Sequence, residues 1–223
     1  MKKEEKIKIG ISIGDLNGIG GELVIKTFED NRMLEFCTPI VYASVKSMVF
    51  LKKHFQSSLE FNKIKNASQA VHSKLNVVSV WHEDVKINFG QEDAKIGEYA
   101  IKSLQAAVED LKNNEIDVLV TAPINKHNIQ SEAFKFPGHT DYLAQELEGD
   151  SLMFMVSDDL KVGLLTDHVP VSEVSTQITA ELIEKKISII HNSLIKDFNI
   201  SKPRIAVLGI NPHTGDNGVI GSE

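Results

Sequence analysis

The stretch IKIGISIGDLNGIGGE, residues 7–22, sets the fold class. Its first half is a short apolar run, which suits a strand buried on both faces. Residues 14–22 carry four glycines in nine positions, so the chain can turn sharply before a helix that the apolar spacing extends over residues 21–36. The same alternation continues downstream. Strands are predicted over 39–43 (PIVYA), 76–81 (NVVSVW) and 117–121 (DVLVT, short and buried), and helices over 45–55 and 94–113. Ile96, Ala100, Leu104, Ala107 and Leu111 form the apolar stripe of the longer helix. Past residue 150 the rhythm changes. Residues 151–156 and 161–166 flank Asp158 and Asp159 as a hairpin, 180–198 is a strongly periodic helix, and 205–210 is a last strand. Strands alternating with helices give a layered α/β fold with a mostly parallel sheet and some antiparallel strands.

Composition narrows the function classes. The 223 residues are 42% hydrophobic and 25% charged, which is ordinary for a globular chain. No stretch approaches the ~20 apolar residues that a membrane helix needs, so no membrane partner is expected. The start, MKKEEKIKIG, lacks the apolar core of a signal peptide. One cysteine, Cys37, permits no internal disulfide, and a cytoplasmic protein is expected. The net charge of −7 and pI near 5.6 argue against nucleic-acid binding. Lys2-Lys3, Lys52-Lys53 and Lys185-Lys186 read as solvated faces, while a small anion can still be held by a local field.

Ligands of open α/β sheets sit beyond the carboxyl ends of strands, and four such places stand out. In residues 14–22 the backbone amides are available for an anion, although the loop fits neither G-x-G-x-x-G nor a P-loop, and a plain tight turn reads equally well. Asp15 either caps this turn or joins a site. In TAPINK (121–126), Asn125 and Lys126 suit a phosphate or carboxylate, though a helix cap and a surface lysine is the plainer reading. FPGHTD (136–141) presents His139, Thr140 and free amides at a helix start, where a cap alone explains neither His139 nor Gly138. The fourth place is a pair of loops, TDHVP (166–170) and NPHTGDNG (211–218). Their histidines, His168 and His213, suit a shared divalent ion, but two ligands are one short of a catalytic site. His54, His72, His82, His127 and His191 read as structural or exposed.

In order and spacing, GDLNGIGGE, TAPINK, FPGHTDYLA, TDHVPVSEV and NPHTGDNGVIG resemble the motifs of the 4-hydroxythreonine-4-phosphate dehydrogenase family of pyridoxal phosphate (vitamin B6) biosynthesis. The resemblance implies an architecture like isocitrate and isopropylmalate dehydrogenases, with two lobes and a homodimer. The chain then reads as a single α/β region, 1–223, covering the N-terminal part and some of an incomplete second lobe. It implies oxidation and decarboxylation of 4-phosphooxy-L-threonine, a small phosphorylated hydroxy-amino acid, to 3-amino-2-oxopropyl phosphate. NAD and a divalent metal, zinc before magnesium or cobalt, are the implied cofactors. His139 and Thr140 inherit substrate contacts, and His168 and His213 inherit metal ligation; no catalytic or NAD-binding residue is assigned.

The sequence also departs from the family. Leu16 and Gly21 stand where the family commonly has prolines, which should loosen the first turn. Family members run on past residue 223, and the extra stretch is expected to hold a third metal histidine, most phosphate contacts and much of the NAD site. The 223 residues by themselves are therefore expected not to turn over substrate. Two alternatives share these motifs: a paralogue acting on 4-phospho-D-threonate or 4-phospho-D-erythronate, and a non-catalytic metal- or phosphate-binding module.

Overall fold

The computed structural model describes residues 6–211, 213 and 216–219. Lys2-Lys3, and Pro212, Thr214, Gly215 and residues 220–223 of the last motif, lie outside the described residues. The chain divides into two compact units at Glu148/Gly149.

In the first unit the elements run β1 (Lys8–Ser12), α1 (Gly20–Glu29), α2 (Met33–Phe36), β2 (Thr38–Ala43), α3 (Val45–His54), β3 (Phe61–Ile64), β4 (Leu75–Ser79), α4 (Ala94–Lys112), β5 (Val118–Thr121) and α5 (His139–Glu146). Five strands pair in the order β3-β4-β2-β1-β5, all parallel. β2 is central and buried at every position, so its side chains serve two cores by strand alternation. Val41 and Ala43 pack with Val24, Ile25, Met48 and Leu51 of α1 and α3. Ile40 and Tyr42 turn the other way, toward Ala107 of α4 and Ile116. A fully buried aliphatic side chain contributes about 1.5–3 kcal/mol, so this double burial is what commits the sequence to a layered fold. Ser103 of α4 locks the layers: its hydroxyl donates to the Tyr42 carbonyl at 2.5 Å and accepts from the Ile13 amide at 2.9 Å.

Several expectations need correcting. The helix predicted over 21–36 is two helices, because Asp30 leaves helical geometry and its carboxylate accepts both the Arg32 amide and the Arg32 guanidinium. An aspartate that bonds its own local backbone competes with helix propagation. β3 was missed; it is only four residues long and has one partner, β4. The strand predicted over 117–121 forms as β5 but is not the buried strand expected, since Val118 and Val120 are 44% and 47% exposed. β5 is an edge strand, flanked only by β1 among the described residues.

The second unit holds β6 (Phe154–Val156), β7 (Lys161–Gly163), α6 (Val174–Gln177) and α7 (Ala180–Lys196). β6 and β7 form the expected antiparallel hairpin, pairing Phe154 with Gly163 and Val156 with Lys161. Its turn is closed by the Ser157 amide donating to the Leu160 carbonyl at 2.8 Å. Thr179 caps α7, accepting from the Leu182 amide at 3.1 Å. Gly163 lets the hairpin lie on α7, where a β-carbon would come within 2.6 Å of Ile190 Cδ1. The strand predicted over 205–210 is not formed. A strand exists only through a ladder partner, none of the described strands pairs with this segment, and Leu208 is 88% exposed.

Candidate functional site

The chain leaves β1 through α1 toward β2, while β5 returns on the other flank of β1. That reversal makes a topological switch point, and the crevice beyond it is where ligands of open α/β sheets bind. The loops after β1 and β5 meet there. The Asp15 amide donates to the Pro123 carbonyl at 2.9 Å. Gly14 has φ +68°, and a β-carbon on it would lie 2.3 Å from the same carbonyl oxygen. Gly14, Gly20 and Gly21 of this loop therefore serve close packing. Gly20 faces the Ile13 carbonyl, and Gly21 lies against Leu51, with a β-carbon only 2.6 Å from Leu51 Cδ1.

The expectation of free amides in this loop is only partly met. The amide of Asp15 is taken by Pro123, and those of Asn17 and Gly18 by the Asp15 carboxylate and carbonyl. Asp15 thus caps the turn, while burial raises its pKa against the lowering effect of the Asn17 and Gly18 amides. Leu16, one of the departures from the family pattern, is fully buried in the core. Asn17, just 2% exposed, pins a second loop over the first. Its amide donates to the Gln91 carbonyl at 2.9 Å, and its carbonyl oxygen accepts from the Asn88 amide at 2.8 Å. These partners lie more than seventy residues away, so no local pattern announces them.

Around TAPINK, Asn125 caps a turn and not the expected helix, since no helix forms between β5 and α5 among the described residues. Its Oδ1 accepts from the amides of His127 (2.9 Å) and Asn128 (3.1 Å), while its Nδ2 donates to Glu92 at 3.3 Å. Gly97 of α4 lets that turn approach closely, since a β-carbon there would stand 1.9 Å from the Asn128 carbonyl oxygen. Lys126 is exposed.

The third place follows an isolated bridge between Ser131 and Phe134 and not a regular strand. Phe134, Phe136 and Tyr142 pack ring against ring, with centroids 5.2–5.3 Å apart, and so hold the segment before α5. The eight-residue α5 begins at His139 with Gly138 as its N-cap, so His139 and Thr140 stand in the first turn beside the helix's positive end. His139 Nε2 is buried with no partner among the described residues, and burial lowers the imidazole pKa below 6.5. Thr140 is exposed. Asn128, 5% exposed, carries a second such atom in Nδ2. Gln130, which carried no expectation, joins the second and third places. Its Nε2 donates to the Phe136 carbonyl at 2.9 Å and the Lys126 carbonyl at 3.4 Å.

In the second unit, TDHVP begins three residues after β7 ends, and NPHTGDNG follows the unpaired 205–210 segment. His168 is exposed at φ +50°. His213 is exposed too, with its amide donating to Asn211 Oδ1 at 2.9 Å. Two imidazoles are fitting ligands for a zinc-like ion. No group of three or more His, Cys, Asp or Glu side chains is gathered for a metal among the described residues. Of the other histidines, His72 meets Thr38 Oγ1 at 2.6 Å and His54 packs on Phe50, Phe55 and Phe89. Cys37 is free and buried, and no described helix is long and apolar enough to cross a membrane.

Comparison with known proteins agrees with this architecture. The family model described as pyridoxal phosphate biosynthetic protein PdxA matches residues 35–223. A 4-hydroxythreonine-4-phosphate dehydrogenase of Bacteroides thetaiotaomicron is 47% identical over 223 residues, covering 99% of this chain and 61% of the relative. A D-threonate 4-phosphate dehydrogenase of Cupriavidus necator is 31% identical, covering 96% of this chain and 65% of that protein. The crystal structure of a 4-hydroxythreonine-4-phosphate dehydrogenase from Burkholderia phymatum superposes with a TM-score of 0.84 at 30% identity, over 98% of this chain and 67% of that one. The chain thus spans about two thirds of the length of these relatives, and it belongs to the PdxA family.

Proposed function

We propose that the protein carrying these residues oxidises and decarboxylates 4-phosphooxy-L-threonine to 3-amino-2-oxopropyl phosphate, a step of pyridoxal phosphate formation. The observation that carries this reading is the buried, unpartnered Nε2 of His139 in the first turn of α5, beside the exposed Thr140. A buried polar atom without a partner is costly, and a ligand that supplies the missing hydrogen bond removes that cost. His139, neutral because burial lowers its pKa, orients the substrate through that nitrogen, and the Thr140 hydroxyl adds a second polar contact. The positive end of α5 favours an anionic group nearby. The two units represent one lobe and part of another.

NAD, when bound, supplies the hydride acceptor, and a divalent ion, when bound, supplies Lewis-acid stabilisation of the oxygen being oxidised. His168 and His213 are the residues of this chain that would hold the ion, with zinc the best match to imidazole donors. A homodimer in the cytoplasm belongs to the same reading.

The Cupriavidus relative favours a second reading, in which the substrate is 4-phospho-D-threonate. Calorimetric titration of this chain with each phosphorylated acid separates the two. NADH formation by a full-length homologous chain is measured alongside. Binding and turnover confined to the D-threonate phosphate would overturn the substrate assignment.

A further inference from the structure

We propose that Lys126 is the cation of the substrate site, pairing its ammonium with the phosphate or carboxylate of the ligand that His139 and Thr140 contact. This deepens the functional reading above and rests on it. The sequence by itself favoured a surface lysine, and the lysine is exposed, but the tertiary structure puts its stem in a defined place. A β-carbon on Gly138 would lie 3.8 Å from Lys126 Cε, so the stem runs past the residue that caps α5, and the charge sits one bond further out.

Two side chains hold it there. Asn125 accepts the amides of His127 and Asn128, which sets the direction in which the chain leaves the β5 loop. Gln130 clasps the Lys126 and Phe136 carbonyls with one amide group, so the lysine's backbone and the approach to α5 move as one piece. Lys126 is thereby a built neighbour of the first turn of α5.

Charge completes the argument. Lys126 makes no ion pair among the described residues, whereas Lys26, Lys46 and Lys112 each meet a carboxylate. The nearby Glu92 is engaged instead by Asn125. His139 is held neutral by burial, so it adds no positive charge to the first turn, and the exposed Asp141 in that turn is acidic. In a protein of net charge −7, a phosphorylated amino acid needs a local cation, and the Lys126 stem passes Gly138, the residue directly before His139. A lysine ammonium suits such an oxyanion as a mobile point charge.

The test is calorimetric titration of the 223-residue chain, as wild type, Lys126→Met, Lys126→Gln and Lys126→Arg, with 4-phosphooxy-L-threonine, 4-phospho-D-threonate and unphosphorylated 4-hydroxy-L-threonine. Thermal denaturation of each variant checks the fold. Lys126→Met and Lys126→Gln should weaken binding of the phosphorylated ligand by about tenfold or more, as expected for a charge-assisted contact. Lys126→Arg should recover most of the loss, and added salt should shrink the gap between wild type and Lys126→Met. A loss limited to the phosphorylated ligands assigns the ammonium to the phosphate, and an equal loss with 4-hydroxy-L-threonine assigns it to the carboxylate. Wild-type affinity in both neutral variants overturns the role of Lys126 while leaving His139 and Thr140 in place. The same titrations are run on a full-length homologous chain with the equivalent substitutions, and failure of both wild types to bind either phosphorylated acid overturns the functional reading, and this inference with it.

Discussion

The amide of Asp15 donates to the carbonyl of Pro123 at 2.9 Å, stitching the loop that leaves β1 to the loop that leaves β5. The two residues are far apart in sequence, yet their strands are neighbours in parallel register, Ser12 opposite Thr121. One backbone bond therefore closes the floor of the crevice at the switch point. Asn125, Gln130 and Gly138 extend the same construction toward α5.

Gly14→Ala should destabilise the protein by at least about 2 kcal/mol, since a non-glycine residue at positive φ is strained and here would also strike a carbonyl. The φ of +68° and the 2.3 Å approach to the Pro123 oxygen both act at this position. Urea denaturation of the purified variant measures it; a midpoint within error of wild type would contradict the close approach.

Asn17→Ala removes the amide that donates to Gln91 and accepts from Asn88. The cost should be about 1–3 kcal/mol, as expected when buried backbone groups lose their partners. Hydrogen exchange should accelerate first at residues 88–91, before any change in β1 or β2. Uniform acceleration across the sheet would show that the residue serves global stability instead of loop placement.

Burial lowers the His139 pKa from 6.5, so the folded protein binds a proton there less readily than the unfolded chain does. This contribution to stability is complete above 6.5 and is lost as the pH falls from there through the lower folded value. His139→Gln should flatten the fall in stability across that window. Identical slopes for wild type and variant, followed by denaturant midpoint against pH, would show that the ring is as well solvated when folded as when unfolded.

His168→Ala and His213→Ala should each weaken zinc binding by at least about tenfold if both imidazoles are ligands. Competition against a chromophoric chelator reads this directly on the chain. Two unchanged titrations would remove the metal assignment, and one unchanged titration would remove that histidine from it.

Much of the fold was legible because local patterns are strong where burial is regular. The stripe of α4, the apolar run of β2 and the periodic face of α7 are patterns within single segments, and each element formed within a residue or two of its expected bounds. The failures came where a side chain competes with the backbone or a distant partner decides. Asp30 broke a helix by bonding the nearby Arg32, and β3 needed β4 beside it. The apolar run at 205–210 had every strand feature except a described partner.

The sequence by itself determined the alternating α/β framework, the family and the identity of the candidate groups, because periodicity, glycine placement and motif order are all local or linear properties. Only the tertiary structure decided which of those groups are neighbours. It spent the amides of the first loop on Asp15 and Pro123, buried the His139 nitrogen without a partner, and laid the Lys126 stem past Gly138. Hydrogen-bond satisfaction and desolvation depend on what arrives from elsewhere in the chain, and no spacing along one segment encodes that.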